Sequence, residues 1–471
     1  MKKRMKVAIL CFLLLGLVGC SKNYGLDPKN PQEIVVWHYY NGAQAIAFEE
    51  LVTEFNRSVG EEEGIIVTAK SQSTIDELIS ALDAAANKKV GAEEMPNIFQ
   101  SYLDTAVELD KMNILADLDP YVTKEEKEQY MDFYIEEGTF GSQNQWKLFP
   151  IAKSTEVLAL NKTDFDKFAQ AEKVSTEELK TWEGLTRIAE QYYKWSGGKS
   201  FFGRDAFANY MIIGSKQLGK EIFTIKDNKA TVQMDPKIMK KLWDNFYIPY
   251  VKGYFKHVGR YRTDDVKIGE IVALAGSTSG MLYFPTEVTV GDEKPYPIDC
   301  QILPLPNFEG TEKCAVQQGA NMAVTKSTEK EEYASVLFLK WFTQTERNIK
   351  FSVESGYMPV TKEANDPQYM DTFLKEKKIT LEGIKRDSIF TSIEQAKSEQ
   401  LFTTKGFDKG YEARRVLNTS MLDVAIKDRK NVEDKIAAGM AEEDAWKEYV
   451  TDRYFMEWFQ SVKEELEDIC Q

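Results

Sequence analysis

Histidine is nearly missing from this chain. His38 and His257 are the only two in 471 residues. Cysteine is almost as scarce, at five, and no two cysteines form a C-x-x-C pair. A metal centre built from closely spaced imidazole and thiolate ligands is therefore not expected, and no cofactor motif is present. A serine hydrolase would need a histidine base, and neither histidine sits in a hydrolase motif. Gly276-Ser277-Thr278-Ser279-Gly280 misses the G-x-S-x-G elbow because Thr278 stands where the nucleophile belongs. Ser327-x-x-Lys330 lacks the companion K-T-G. An excess of basic charge is also missing. The formal net charge is -15, and -19 without the four basic residues of Met1–Lys6. Nucleic acid phosphates and anionic lipid surfaces both call for a basic face. Past residue 18 there is no long apolar run, no internal repeat and no low-complexity stretch.

The amino terminus carries the first positive signal. Lys2, Lys3, Arg4 and Lys6 precede an apolar run, Val7–Val18, that is too short for a spanning helix of about 20 residues. Leu17-Val18-Gly19-Cys20 then has the layout of a bacterial lipoprotein signal. Residues 1–19 are expected to be removed as a signal peptide. The Cys20 thiol would take a diacylglycerol with palmitate-type chains. Residues 20–32, with Gly25, Pro28 and Pro31, read as a polar lipidated tether. The chain is then expected on the outer face of the cytoplasmic membrane, held by lipid and working as a monomer. Cys300, Cys314 and Cys470 remain after Cys11 and Cys20. Outside the cell Cys300 and Cys314 could form a disulfide or stay as buried thiols. Cys470 has no role legible from sequence.

Beyond the tether, strand and helix patterns alternate. Glu33–Trp37 is strand-like. Phe48, Leu51, Val52 and Phe55 recur at helical spacing. Ile65–Val67 reads as a strand, and Thr74-x-x-Glu77 resembles a capping box opening a helix with Leu78 and Leu82. Asn97–Phe99 is a third short strand. Thr328-x-x-Glu331 caps another helix, and Trp446 to Phe459 reads as helical and aromatic. This alternation predicts an α/β architecture with parallel strands and a ligand rim beyond their carboxyl ends. Trp37–Gly42 and Gln100–Asp104 fall on that rim.

Seven segments in order resemble the solute-binding lipoproteins of carbohydrate-type ABC importers, the maltose-binding and glycerol-3-phosphate-binding relatives among them. They are Ile34-Val35-Val36-Trp37, Pro96–Asp104, Ile114–Pro120, Phe149-Pro150-Ile151-Ala152 through Asn161-Lys162, Thr181–Leu185, Gly269–Leu274 and Ser355–Val360. The resemblance covers nearly everything after the tether. It implies a type II periplasmic-binding-protein-like fold: two α/β lobes, a hinge crossed several times, and a cleft between them. The first lobe would take residues 31–152 with 305–350, and the second 153–304 with 351–471. The partners would be a small solute and the permease subunits in the membrane, with no chemistry done on the solute.

A sugar cleft needs aromatic faces and polar side chains for hydroxyls. Trp37, Tyr39, Tyr40 and Asn41 supply both on one loop. By resemblance Asp104 is a ligand carboxylate, Ser154, Thr155 and Glu156 lie at the first hinge crossing, and Phe207 and Tyr210 are aromatic contacts of the second lobe. Ser277 lies in a hydroxyl-rich loop, expected to be flexible. Gln318, Gly319 and Tyr357 resemble later cleft positions. Arg414, beside Arg415, is a phosphate-binding candidate. Thr105 replaces an Arg of the maltose-binding pattern, and the Gly276–Gly280 loop has no tryptophan. The solute class therefore stays open between a short oligosaccharide and a glycerol-phosphate-type compound. A secreted glycoside hydrolase and a sensing lipoprotein are the competing functions.

Overall fold

The computed structural model describes residues 24–141 and 143–471. The expected signal peptide and the Cys20 expected to carry lipid lie outside those residues. Eleven strands carry the argument: β1 (Gln32–His38), β2 (Ile65–Ser71), β3 (Ile98–Ser101), β4 (Leu148–Phe149), β5 (Glu156–Asn161), β6 (Phe202–Arg204), β7 (Ala273–Ser277), β8 (Cys300–Pro304), β9 (Cys314–Val316), β10 (Asn321–Val324) and β11 (Gln400–Phe402). The first lobe is built on a sheet of order β2-β1-β3-β10-β4, the second on β8-β5-β7-β6. β1 runs parallel to β2 and β3, as the alternation predicts. β10 is antiparallel to both β3 and β4, and β5 is antiparallel to β7 and β8. Both sheets are therefore mixed, because strands that return through the hinge enter a sheet from the opposite direction.

Helices cover the sheets: α1 (Gly42–Asn56), α2 (Ile75–Ala86), α3 (Leu103–Lys111), α4 (Asp132–Glu137), α5 (Trp182–Ser196), α6 (Phe207–Gln217), α7 (Glu329–Phe342), α8 (Thr345–Ser355), α9 (Gly410–Ala437) and α10 (Asp452–Cys470). In α1 the periodic Phe48, Leu51, Val52 and Phe55 are all buried. Thr328 and Glu331 complete a reciprocal capping box on α7, whereas the Thr74 side chain caps α2 by accepting from the Glu77 amide. The carboxy-terminal helix is interrupted where one run was expected. Trp446 ends a short helix, and Thr451 caps α10 afresh by accepting from the Tyr454 amide. Among the described residues no helix is long and apolar enough to cross a membrane.

Two large cores sit under the lobes. One gathers Ile34, Phe48, Phe149, Met322 and Phe338; the other gathers Leu158, Trp182, Phe202, Trp243 and Leu417. Three boundaries differ from the sequence expectation. Leu305, Phe308, Cys314 and Val316 pack in the second core, so residues 305–316 lie with the second lobe. Phe351, Tyr357 and Val360 pack in the first core rather than the second. The expected slack tether is packed from Tyr24, whose ring stacks on Tyr333 at 4.3 Å, while Leu26 enters the first core. Burial of apolar side chains outweighs the local polarity that marked the segment as a linker.

Cys300 and Cys314 are both free thiols. They occupy β8 and β9, strands of separate sheets. Burial pushes each thiol up to about 12, which makes it a poor nucleophile for exchange.

Candidate solute cleft

Three segments cross between the lobes, and the first is central. Lys153 exchanges backbone hydrogen bonds with Met358, at 3.1 and 2.6 Å, and Ser154 does so with Gln318, at 2.8 and 3.0 Å. The first crossing is therefore paired on both sides. Gly319 has φ +97°, and a β-carbon there would lie 3.0 Å from the Ala152 carbonyl oxygen and the Lys153 Cα. Only glycine allows so close an approach in this conformation.

Above the crossings the two lobes touch. Gly410, the first residue of α9, sits against Asp104 of α3; a β-carbon at 410 would lie 2.6 Å from Asp104 Oδ1. The Tyr411 hydroxyl donates to Asp76 Oδ1 at 2.8 Å, and Lys111 forms an ion pair with Asp408. Burial pushes the Asp104 carboxyl up to about 6; Arg414 draws it down, and Glu108 and Glu412 push it up. Arg414, one helical turn past Gly410, acts on that carboxyl through its charge without forming an ion pair with it, so an acceptor on one lobe lies near a donor-only guanidinium on the other.

Beside this contact lies a group of tyrosines. The hydroxyls of Tyr39 and Tyr102 are 3.3 Å apart, and their rings are near parallel at 6.4 Å. Tyr40 packs edge-on against Tyr357 at 5.8 Å. Tyr39 is held at its backbone by the Gln100 side chain, whose oxygen accepts from the Tyr39 amide at 2.9 Å. Burial raises the Tyr39, Tyr40 and Tyr357 hydroxyls well above the ordinary value, with neighbouring tyrosines adding to it. All three stay neutral and able to donate.

The sequence-derived residues divide into four groups. Tyr39, Asp104, Gln318, Gly319, Arg414 and the hinge trio Ser154, Thr155 and Glu156 come together around the crossings, whereas Tyr40 and Tyr357 back them from within the first core, Tyr40 packed on Phe48 and Phe351. Ser277 joins the residues at the crossings through its strand pairing with Glu156, its hydroxyl 3.0 Å from that of Ser279. Its neighbours Thr278–Tyr283 form a 3-10 helix, not a flexible loop, and Tyr283 reaches the start of α1 at Gly42. Asn41 stands outside, exposed, as the residue preceding α1, its side-chain amide donating to the Ser73 carbonyl at 3.4 Å. Trp37, Phe207 and Tyr210 are corrections. Trp37 packs with Leu78, Phe99 and Leu103 under the first sheet. Phe207 and Tyr210 are buried in the second core, and the Tyr210 hydroxyl donates to the Leu242 carbonyl at 2.8 Å. The side chain that reaches the crossings from α6 is Asn209, which the sequence reading missed. A polar residue between two aromatic ones was the only available signal. A groove of about 1170 Å³ lies between the lobes against Phe133, Glu137, Phe140, Ile225 and Phe402. None of the sequence-derived residues lines it.

A family model for bacterial extracellular solute-binding proteins matches residues 50–379. The chain belongs to that family. Extracellular solute-binding proteins of known structure share its fold at low identity. UgpB from Mycobacterium tuberculosis, in complex with glycerophosphocholine, superposes with a TM-score of 0.68 at 16% identity, over 93% of this chain and 98% of its own. The cyclic alpha-maltosyl-1,6-maltose binding protein from Arthrobacter globiformis gives 0.66 at 16%, over 93% and 100%. Lmo0181 from Listeria monocytogenes, in complex with cycloalternan, gives 0.66 at 15%, over 93% and 99%. No curated protein matches this solute-binding chain by sequence.

Proposed function

We propose that this solute-binding protein captures a carbohydrate between its lobes, as the lipid-anchored receptor of an ABC importer, and hands it to the membrane permease. The observation that carries this reading is the seam at Gly410 and Asp104, which brings a carboxyl of one lobe within reach of the Arg414 charge on the other, with the Tyr39 and Tyr102 hydroxyls at the start of α3. Sugar hydroxyls both donate and accept, so one ring can donate to Asp104 and accept from Arg414 while its C–H face rests on tyrosine. Such a solute bridges the lobes and favours their closure about the three crossings. Oligosaccharides are the ligands of two of the structural relatives above. No step of this reading changes the solute chemically, and an anchor at Cys20 would keep the receptor near its permease.

A glycerol-phosphate solute is the alternative, and the Arg414 guanidinium is what favours it. The charge around Arg414 weighs against it. Asp104, Glu108 and Glu412 act on one another there, and a dianionic phosphate would meet all three. The deciding experiment is a thermal-shift screen of the chain from Ser21 against mono- and oligosaccharides and glycerol phosphates. A solute at 100 times its dissociation constant stabilises by about 2.7 kcal/mol. A shift with oligosaccharides alone is expected. A shift confined to glycerol phosphates would replace the sugar reading, and no shift with either class would overturn both.

A further inference from the structure

We infer that Asn209 is a positioning residue of the cleft: it holds the Arg414 guanidinium at the lobe seam, one helical turn from the Gly410–Asp104 contact, and ties it to two of the hinge crossings. The inference rests on the proposed solute cleft for its purpose, but its geometry stands alone.

Asn209 lies in the first turn of α6 and is 1% exposed. Every polar atom of its side chain is committed. The amide nitrogen donates to Glu156 Oε1 at 2.7 Å and to Gln318 Oε1 at 2.9 Å. The amide oxygen accepts from Arg414 Nη2. Glu156 stands at the start of β5, just past the first crossing, and Gln318 lies in the second crossing, backbone-paired to Ser154. Glu156 is itself fixed, because its other oxygen accepts from Arg204 Nη2 at 2.8 Å. Arg204 in turn packs over the Trp182 and Tyr210 rings, 5.9 and 5.5 Å from their centroids. Asn209 is thus the joint between a rigid anchor in the second core and a guanidinium at the lobe seam.

Residue chemistry explains why asparagine occupies this position. A carboxylate could accept from Arg414 but would repel Glu156 and could not donate to Gln318. An apolar residue would leave Glu156, Gln318 and Arg414 each short of a partner in a buried site. Only a short amide gives two donations toward the hinge and one acceptance from α9. With one Nη2 hydrogen bond spent on Asn209, Arg414 keeps its remaining donors for Asp104 or a solute. A solute that engages Arg414 therefore pulls on a chain of hydrogen bonds that ends in both crossings.

The test follows the Asp104 carboxyl by carbon-detected NMR titration of the solute-free protein. Arg414→Ala removes the cation that lowers Asp104, so Asp104 should titrate higher than in wild type. Asn209→Ala should displace it in the same direction, because Arg414 is no longer held. The Arg414→Ala, Asn209→Ala double variant should titrate no higher than Arg414→Ala alone. Asn209→Ser, milder for folding, should reproduce the Asn209→Ala displacement. An Asp104 titration unmoved by Asn209→Ala or Asn209→Ser, or displaced equally by either with Arg414 already gone, would overturn the inference. No solute is needed, so a failed solute screen sinks the proposed function without touching this result.

Discussion

The Lys153 ammonium donates to Glu137 Oε2 at 2.6 Å with both side chains nearly out of solvent. The same ammonium donates to the Gly319 carbonyl at 2.9 Å and to Asn321 Oδ1 at 3.2 Å. Glu137 also accepts from Asn321 Nδ2 at 3.2 Å and from Gln317 Nε2. One buried ion pair therefore fastens the first and second crossings to α4 of the first lobe. Burial alone drives the lysine downward, and Glu137 opposes that shift.

Breaking that pair from one side should be costly. Lys153→Met leaves the Glu137 carboxylate buried without its cation, a change typically worth about 3–5 kcal/mol. Urea unfolding of Lys153→Met should show that loss, with a smaller one for Lys153→Met combined with Glu137→Leu. Wild-type stability in the single variant would mean that the pair is not buried in solution.

Asp104→Ala should weaken solute binding by about 1–3 kcal/mol, the range for losing a buried hydrogen-bond partner. Isothermal titration with whichever sugar shifts the melting temperature measures it. An unchanged affinity would place the solute away from α3.

Asp104 also predicts a pH dependence. Its folded-state value of about 6 lies above the ordinary 3.8. Between those values the folded chain binds the proton more tightly than the unfolded chain. The resulting stability is present below about 3.8, falls as pH rises and is gone above about 6. The melting temperature of wild type should therefore fall relative to that of Asp104→Asn as pH rises from about 4 to about 7. Parallel curves across that window would rule the contribution out.

Cys20→Ala should move the protein from the membrane fraction to the medium or periplasm, as fractionation and blotting would read. Firm retention in the membrane would remove the lipoprotein reading of Leu17–Cys20.

The alternation of strands and helices was legible in the sequence because it depends on local periodicity. The α1 stripe and the caps at Thr74 and Thr328 stand where their spacing puts them. Asp104, Glu156 and Arg414 were legible as polar candidates. Their company was not. Trp37, Phe207 and Tyr210 are aromatic residues next to expected rim positions, and residue type alone cannot tell a ring that faces a cleft from one that faces a core.

What the sequence by itself determined is the class of fold, the order of its elements and the identity of the polar groups available to a solute. These follow from short-range patterns that survive without knowledge of distant partners. Tertiary structure alone decided that Asn209, rather than its aromatic neighbours, reaches the hinge. It also decided that residues 305–316 pack with the second lobe and that Cys300 and Cys314 stay apart. Each of these depends on which segments, far apart in the chain, are brought within a few ångströms. That is set by the collective burial of two cores, a sum no local stretch of sequence contains.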